Sequence, residues 1–398
     1  MKELSRAARA VRASTTLAAD SLAKQMKADG LDVVGFGTGE PDFDTPDHIK
    51  QAAIRAIEAG RTKYTPASGI LTLKKAAAER LFADCGVRYE PGEIVIASGA
   101  KHALFAALMA LVNPGDEVII PAPYWVTYTE AVKMAGGAPV IVHAAEADGF
   151  KITARQLEAA VTDKTKLFIL NNPSNPTGML YGGEELRALA DVCVRHDLYI
   201  ISDEIYYRLV YGGREFVSMA SLGAEVKART VLISGVSKSY AMTGWRIGFS
   251  ASNADIARVM GNYLSHSTSA PSTISQYAAA EALAGDQSAI EAMRAVFERR
   301  RDYIVERVNK IPGVSCLKPD GAFYVMINIT RQLGRTLGGR VIGGGDDFAL
   351  ALLEKGLVAL VSCAGFGDAN FVRMTYAASM EDIAEGLNRL EKFVAGGA

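Results

Sequence analysis

EIVIASGAKHALFAALMALVNPGDEVII, Glu93 to Ile120, decides the fold. A β-branched apolar run (EIVIAS, 93–98) ends at Gly99, a helix-length stretch rich in Ala and Leu follows, NPGD turns, and EVIIP (117–121) begins a second apolar run. Apolar runs without polar alternation read as strands buried on both faces, and a helix between two of them is the crossover of a parallel pair. The unit recurs downstream. YWVTYTEAVKMA precedes APVIVHA (138–144), ARQLEAAV precedes TKLFILNN (165–172), GEELRALADVCVRHD precedes LYIISDE (198–204), and TVLIS (230–234) reads as a further buried strand. The expected domain is α/β, a mixed but mostly parallel sheet covered by helices, with its ligand crevice at the carboxyl ends of the strands.

Past about Gly285 the pattern changes. A long helix (289–311) leads into strands around VSCL, AFYVMI, LVALVS and FVRMTYA, and a helix begins at Met380. This is a smaller α+β domain, and the first forty or so residues are expected to pack against it. The division is 45–285 for the large domain and 1–44 plus 286–398 for the small one. The Gly-rich stretch 331–347 reads as an irregular surface loop.

At 398 residues the chain exceeds what one hydrophobic core usually supports, so two domains sharing a cleft are expected. A net charge of −1 gives no global attraction to nucleic acid or anionic membrane, so any anion must be held by local Lys and Arg. The four cysteines (Cys85, Cys193, Cys316, Cys363) are scattered, with neither CxxC nor metal-ligand spacing, which suits a reducing cytoplasm and predicts no metal. The N-terminus lacks an apolar signal core, and ALFAALMALV (103–112) is too short to span a bilayer, so the chain reads as soluble.

Several strand ends carry residues with chemical potential. In SGAK (98–101) a strand turns through Gly99 and Ala100 into a helix, whose free N-terminal amides suit a phosphate. NNPSNPTG (171–178) is a rigid turn that would aim Asn172 and Asn175 into the crevice. SDEIY (202–206) puts Asp203 at a strand end, as helix cap or site residue, with Tyr206 three residues on. SGVSKSYAMTGWRIG (234–248) carries Lys238, whose amine becomes nucleophilic when desolvated, and Arg246, a permanent cation suited to phosphate or carboxylate. Arg373 alternates with apolar residues in FVRMTYA, and periodicity does not say which way it points. Each has an ordinary structural reading by itself. Together, a phosphate cradle, a buried-type lysine, a strand-end carboxylate, a tyrosine and a spare arginine are what pyridoxal phosphate chemistry requires.

TGEPDFDTP, KYTPASG, SGAKHALF, PYWVTY, NNPSNPTG, SDEIY, SKSYAMTGWRIG and FVRMTYA, in this order, resemble the class I aminotransferases, fold type I pyridoxal-phosphate enzymes, and most closely their bacterial aspartate and prephenate branch. The resemblance spans essentially the whole chain. It implies that Lys238 holds the pyridoxal phosphate aldehyde as a Schiff base and then acts as general base. Asp203 would pair with the protonated ring nitrogen, Tyr206 and Asn175 with the phenolic oxygen, and Trp125 would stack on the ring. Gly99, Ala100, Ser237 and Arg246 would hold the phosphate, joined by Tyr64 from the other subunit of a homodimer whose active sites lie at the interface. Arg373 would clamp the substrate α-carboxylate, with Asn175 and the Gly39 backbone beside it. Lys101, next to the phosphate turn, and Thr16 would meet the distal carboxylate of a dicarboxylic substrate. The implied reaction is ping-pong transfer from L-aspartate or a related amino acid to 2-oxoglutarate. The alternatives are an aromatic or prephenate-type aminotransferase and a C–S lyase of the same fold. A regulator built on this fold would need a DNA-binding segment, and no basic stretch supplies one. Two departures concern the site: VSCAGFG (361–367) stands where relatives often have Pro–Gly, and Gly235 replaces a serine that some relatives use on the phosphate.

Overall fold

Seven strands form the central sheet: β1 Ile94–Ala97, β2 Glu117–Ala122, β3 Ala138–His143, β4 Thr165–Asn171, β5 Tyr199–Asp203, β6 Thr230–Gly235 and β7 Gly248–Ala251. Their order is β1-β7-β6-β5-β4-β2-β3. The computed structural model describes residues 3–11 and 15–396, without the side chains of residues 6, 7 and 15–20. All neighbouring strands pair in parallel except β7, which runs antiparallel to both β1 and β6. Two reversals restore the direction, so the carboxyl ends of β1, β4, β5 and β6 share one edge of the sheet. The sequence gives β7 no clear signal, because GFSA is four residues long and follows a loop.

Every residue of β6 is buried, as expected of a central strand covered on both faces. The helix Ala100–Leu111 packs Ala103, Leu104, Ala106, Ala107, Leu108 and Leu111 inward against the sheet. Truncating Leu104 to Ala would cost about 2–5 kcal/mol. This packing fixes the helix N-terminus at the carboxyl end of β1.

The second region is built on β8 Ser315–Cys316, β9 Tyr324–Asn328, β10 Val361–Ser362 and β11 Phe371–Thr375, an antiparallel sheet of order β10-β11-β9-β8. The helices Ser288–Val308 and Met380–Val394 enclose a core that includes Phe297, Phe323, Phe348 and Tyr376, all fully buried. Val34–Gly35 pairs in parallel with Val358–Ala359, which brings the N-terminal segment to this region. Among the described residues no helix is long and apolar enough to cross a membrane.

The stretch 331–347 is not the irregular loop expected from its glycines. Thr336–Leu337 pairs with Arg340–Val341 across Gly338 and Gly339, whose φ of 55° and 80° suit a two-residue hairpin turn. Leu337 and Ile342 are buried in the core, and the buried Gln332 donates to the Gly313 carbonyl at 2.6 Å. Turn glycines around two short apolar pairs hide the strand alternation in the sequence.

Candidate active site

A cavity of about 340 Å³ opens at the carboxyl ends of the central strands, walled on its far side by residues 37–40, Tyr324 and Arg373. Lys238 enters it from the loop after β6. The ammonium donates to the Gly39 carbonyl and makes no ion pair among the described residues. Burial pulls its pKa down to about 8, although the nearby Glu40 carboxylate favours the charged form. Asp203, the last residue of β5, is 4 % exposed. Its Oδ2 accepts the Tyr128 hydroxyl at 2.7 Å, and its Oδ1 accepts the Ile205 amide at 3.3 Å. Burial raises this carboxyl to about 6, with the Tyr128 hydrogen bond opposing the rise. The Tyr206 hydroxyl lies 3.0 Å from that of Tyr324.

Beside this pair lies an anion cradle. Gly99, two residues past β1 and with φ 90°, precedes the helix from Ala100, which presents its first amides at the cavity. A Cβ on Gly99 would stand 2.3 Å from Arg246 Nη2, so only glycine lets the guanidinium lie across the turn. Arg246 donates from Nη1 to the Thr243 carbonyl at 2.9 Å, and Ser237 lines the same wall. Amides at a helix N-terminus, a hydroxyl and a guanidinium fit a phosphate. A desolvated amine fits an aldehyde, and a buried carboxylate fits a protonated ring nitrogen. The residues present therefore fit pyridoxal phosphate. Gly235 is also explained: its Cβ would meet Gly248 Cα at 2.9 Å across the β6–β7 pair, so no serine fits there.

Across the cavity, Arg373 projects from β11 and is 3 % exposed. It donates to Asn175 Oδ1 at 2.9 Å and to the Gly37 carbonyl at 2.8 Å, while its Nε has no partner. The rings of Tyr324 and Phe366 lie 4.4 and 5.0 Å from its guanidinium carbon. Phe366 thus makes VSCAGFG part of the wall around Arg373. Lys101 sets its ammonium 4.8 Å from the centre of the Trp125 ring, and burial followed by repulsion from Arg246 lowers its pKa.

Gly39, Ala100, Lys101, Trp125, Asn175, Asp203, Tyr206, Ser237, Lys238, Arg246 and Arg373 all line this cavity, and Gly99 lies directly under Arg246. Tyr64 does not line it and is 99 % exposed. Thr16 lies in the helix Thr15–Ala28, and its side chain is outside the described residues. Asn172 corrects an expectation. It faces away from the crevice, accepting the Tyr181 amide at 2.8 Å, and its neighbour Asn171 lines the cavity because successive strand residues point to opposite faces. Asn171 donates to the Asp203 carbonyl at 2.8 Å and accepts the Asn175 amide at 2.7 Å. Sequence reading also missed Tyr128, Tyr324 and Glu40. For Tyr128 a signal existed, since it follows Trp125 by three residues across the turn into the helix Thr127–Met134, with its amide donating to the Trp125 carbonyl at 2.9 Å and the rings 5.5 Å apart.

The profile described as "Aminotransferase class I and II" matches residues 31–390. Aspartate aminotransferase of Geobacillus stearothermophilus is 50 % identical over 381 residues, 96 % of each chain. Aspartate/prephenate aminotransferase of Cereibacter sphaeroides is 48 % identical over 388 residues, 97 % of each. Among solved structures, the aspartate aminotransferase of Rhizobium meliloti superposes with a TM-score of 0.96 at 41 % identity, covering 100 % of both chains. That of Thermus thermophilus with maleate gives 0.93 at 38 % identity, covering 99 % of this chain and 100 % of the other. With the motifs, the cavity and these full-length likenesses in agreement, the chain belongs to the class I and II aminotransferases, pyridoxal-phosphate-dependent enzymes that exchange amino groups between amino acids and 2-oxo acids.

Proposed function

We propose that this chain moves the amino group of L-aspartate, or a closely related amino acid, to 2-oxoglutarate in a ping-pong cycle. The observation that carries the reading is Lys238: a half-buried amine with no ion pair among the described residues, its pKa drawn to about 8, in one cavity with Asp203 and Arg373. When bound, pyridoxal phosphate supplies an aldehyde that takes up the amino group and a ring that withdraws electrons from the substrate Cα. Lys238 covers both of its duties, holding the aldehyde at rest and carrying the Cα proton once free. A pKa near 8 leaves about a tenth of the amine neutral at pH 7, which suits a general base. Asp203, ionised above about pH 6, holds the ring nitrogen's proton in place.

Arg373 takes the α-carboxylate with charge-assisted hydrogen bonds, and Asn175 and the Gly39 backbone complete that end. The Asn175 amide nitrogen and the Tyr206 hydroxyl would hold the phenolic oxygen, and the Trp125 ring would wall the cofactor. Lys101 and Thr16 take the distal carboxylate. Tyr64, held out in solvent, serves the phosphate of a second subunit, which makes the active form a homodimer with interfacial sites. Residues 45–285 form the cofactor domain, while 1–44 plus 286–398 carry the substrate clamp. The four cysteines, none in a disulfide, suit the cytoplasm.

L-aspartate with 2-oxoglutarate, followed as oxaloacetate by a coupled dehydrogenase, tests this. Turnover supports the reading. Absence of oxaloacetate, with pyruvate and ammonia released from a cysteine conjugate, overturns it in favour of a lyase. Prephenate as the acceptor asks whether the chain also shares the activity for which the Cereibacter relative is named.

A further inference from the structure

We propose that the Arg300–Asp42 ion pair is a positioning device for the substrate carboxylate, acting through the segment that forms one wall of the cavity. Arg300 lies on the helix Ser288–Val308, outside the site, and donates Nη1 and Nη2 to the two Asp42 oxygens at 2.7 and 2.8 Å. This fork is geometrically rigid in a way a single contact is not. The Arg300 side chain is 9 % exposed, with the Phe43 and Phe297 rings 5.4 and 5.7 Å from its guanidinium carbon, so its orientation is constrained from both sides.

Asp42 follows the residues on which both reactive cations rest. Arg373 donates to the Gly37 carbonyl and Lys238 to the Gly39 carbonyl. Upstream, the Thr375 amide donates to the Phe36 carbonyl at 3.1 Å, pinning the start of the segment to the strand of Arg373. Downstream, Thr45 donates to the Ala241 carbonyl at 2.7 Å in the lysine loop. Between these ends the wall is held by Arg300 on Asp42 and by the Thr243 hydroxyl, which donates to Glu40 Oε2 at 2.8 Å, so loss of the two-bond Arg300 fork loosens the segment carrying Gly37 and Gly39. A Cβ on Gly39 would approach the Tyr324 hydroxyl at 2.4 Å, so the wall is already at contact distance and small displacements count. A shifted wall misplaces the Gly37 carbonyl and with it Arg373, which weakens carboxylate binding more than proton transfer.

The inference rests on the assignment of Arg373 to the substrate carboxylate. Arg300→Lys keeps the charge and loses the fork; Arg300→Met loses both. KM for L-aspartate should rise about tenfold in R300M and less in R300K, with kcat within about twofold. Maleate, a dicarboxylate that does not react, should bind about tenfold more weakly by calorimetry. If R300M folds poorly, D42N supplies the same readouts without emptying the helix face. Unchanged KM and maleate affinity in these variants, or a fall in kcat alone, overturns the positioning role while aspartate turnover by the native enzyme keeps the function standing. Failure of the native enzyme to turn over aspartate sinks the functional reading instead, and maleate binding then still reports on the wall.

Discussion

Two kinds of buried cation stand side by side in this molecule. Arg300 and Arg301, on the helix Ser288–Val308, each meet carboxylates: Asp42 for the first, Glu298 and Asp302 for the second. Arg373 is equally hidden and Lys238 half-buried, yet their partners are neutral, an amide oxygen and backbone carbonyls. A buried charge without a counter-ion is costly, and a frame built only for stability would pair it or replace it. The unpaired cations face the cavity and the paired ones do not. Asp203 is the mirror case, a buried carboxylate whose side-chain partner is a tyrosine hydroxyl. Among these cations, then, the site keeps charges open for ligand groups of opposite sign and the frame holds charges already satisfied. The rule does not extend to carboxylates, since buried Glu204, outside the cavity, is held by the Ser202 and Ser218 hydroxyls and the Met219 amide.

The sharpest way to break this contrast is Lys238→Ala. It should cut aspartate turnover on the order of 10⁴-fold in the coupled assay, while thermal melts of the apoprotein at pH 7 show no loss of stability. A large fall in melting temperature would mean that the lysine belongs to the frame. Asp203→Asn comes next, with turnover down about 10³-fold. Its folded pKa of about 6 lies above the ordinary 3.8, so its contribution to apoprotein stability is full below the ordinary value and is lost as pH rises through about 6. The variant should flatten the pH dependence of melting between about pH 4 and 6 and be at least as stable as the native apoprotein at pH 7. Retention of the native pH slope would refute the burial argument.

Arg373→Ala should lower kcat/KM about 10²-fold, mainly through KM, with the melting temperature little changed, because two charge-assisted hydrogen bonds to substrate are lost and no internal ion pair is broken. Arg301→Met should do the opposite. Its pair is internal, so stability should fall by about 1–3 kcal/mol in denaturant titrations, while kcat/KM stays within about twofold. Kinetic damage in this last variant would erase the distinction between frame and site.

Sequence reading reached the site where chemistry and chain position coincide. Asp203 ends a buried apolar run and Gly99 and Lys238 lie two or three residues past one, and parallel strands bring such ends to one edge. It failed where direction or distance mattered. Asn171 and Asn172 are adjacent and chemically identical, and only the strand's phase says which one lines the cavity. Tyr128 meets Asp203 from 75 residues away in the chain, and Tyr324 meets Tyr206 across 118. No local pattern encodes those pairings. The hairpin within 331–347 was hidden for the opposite reason, since its strands are too short for periodicity to register.

By itself the sequence determined the α/β architecture and the change of character after Gly285, and it set Lys238, Asp203 and Gly99 at or just beyond strand ends, because these follow from hydrophobic period; the roles proposed for those residues come from the family resemblance. Tertiary structure alone decided which charges remain unpaired. Arg373 stands among apolar residues in FVRMTYA and Arg300 inside the charged run ERRRD, 298–302, and neither setting names its partner. One folds against Asp42 and the other against neutral groups, and a charge's partner is fixed by distant parts of the chain brought within hydrogen-bonding reach.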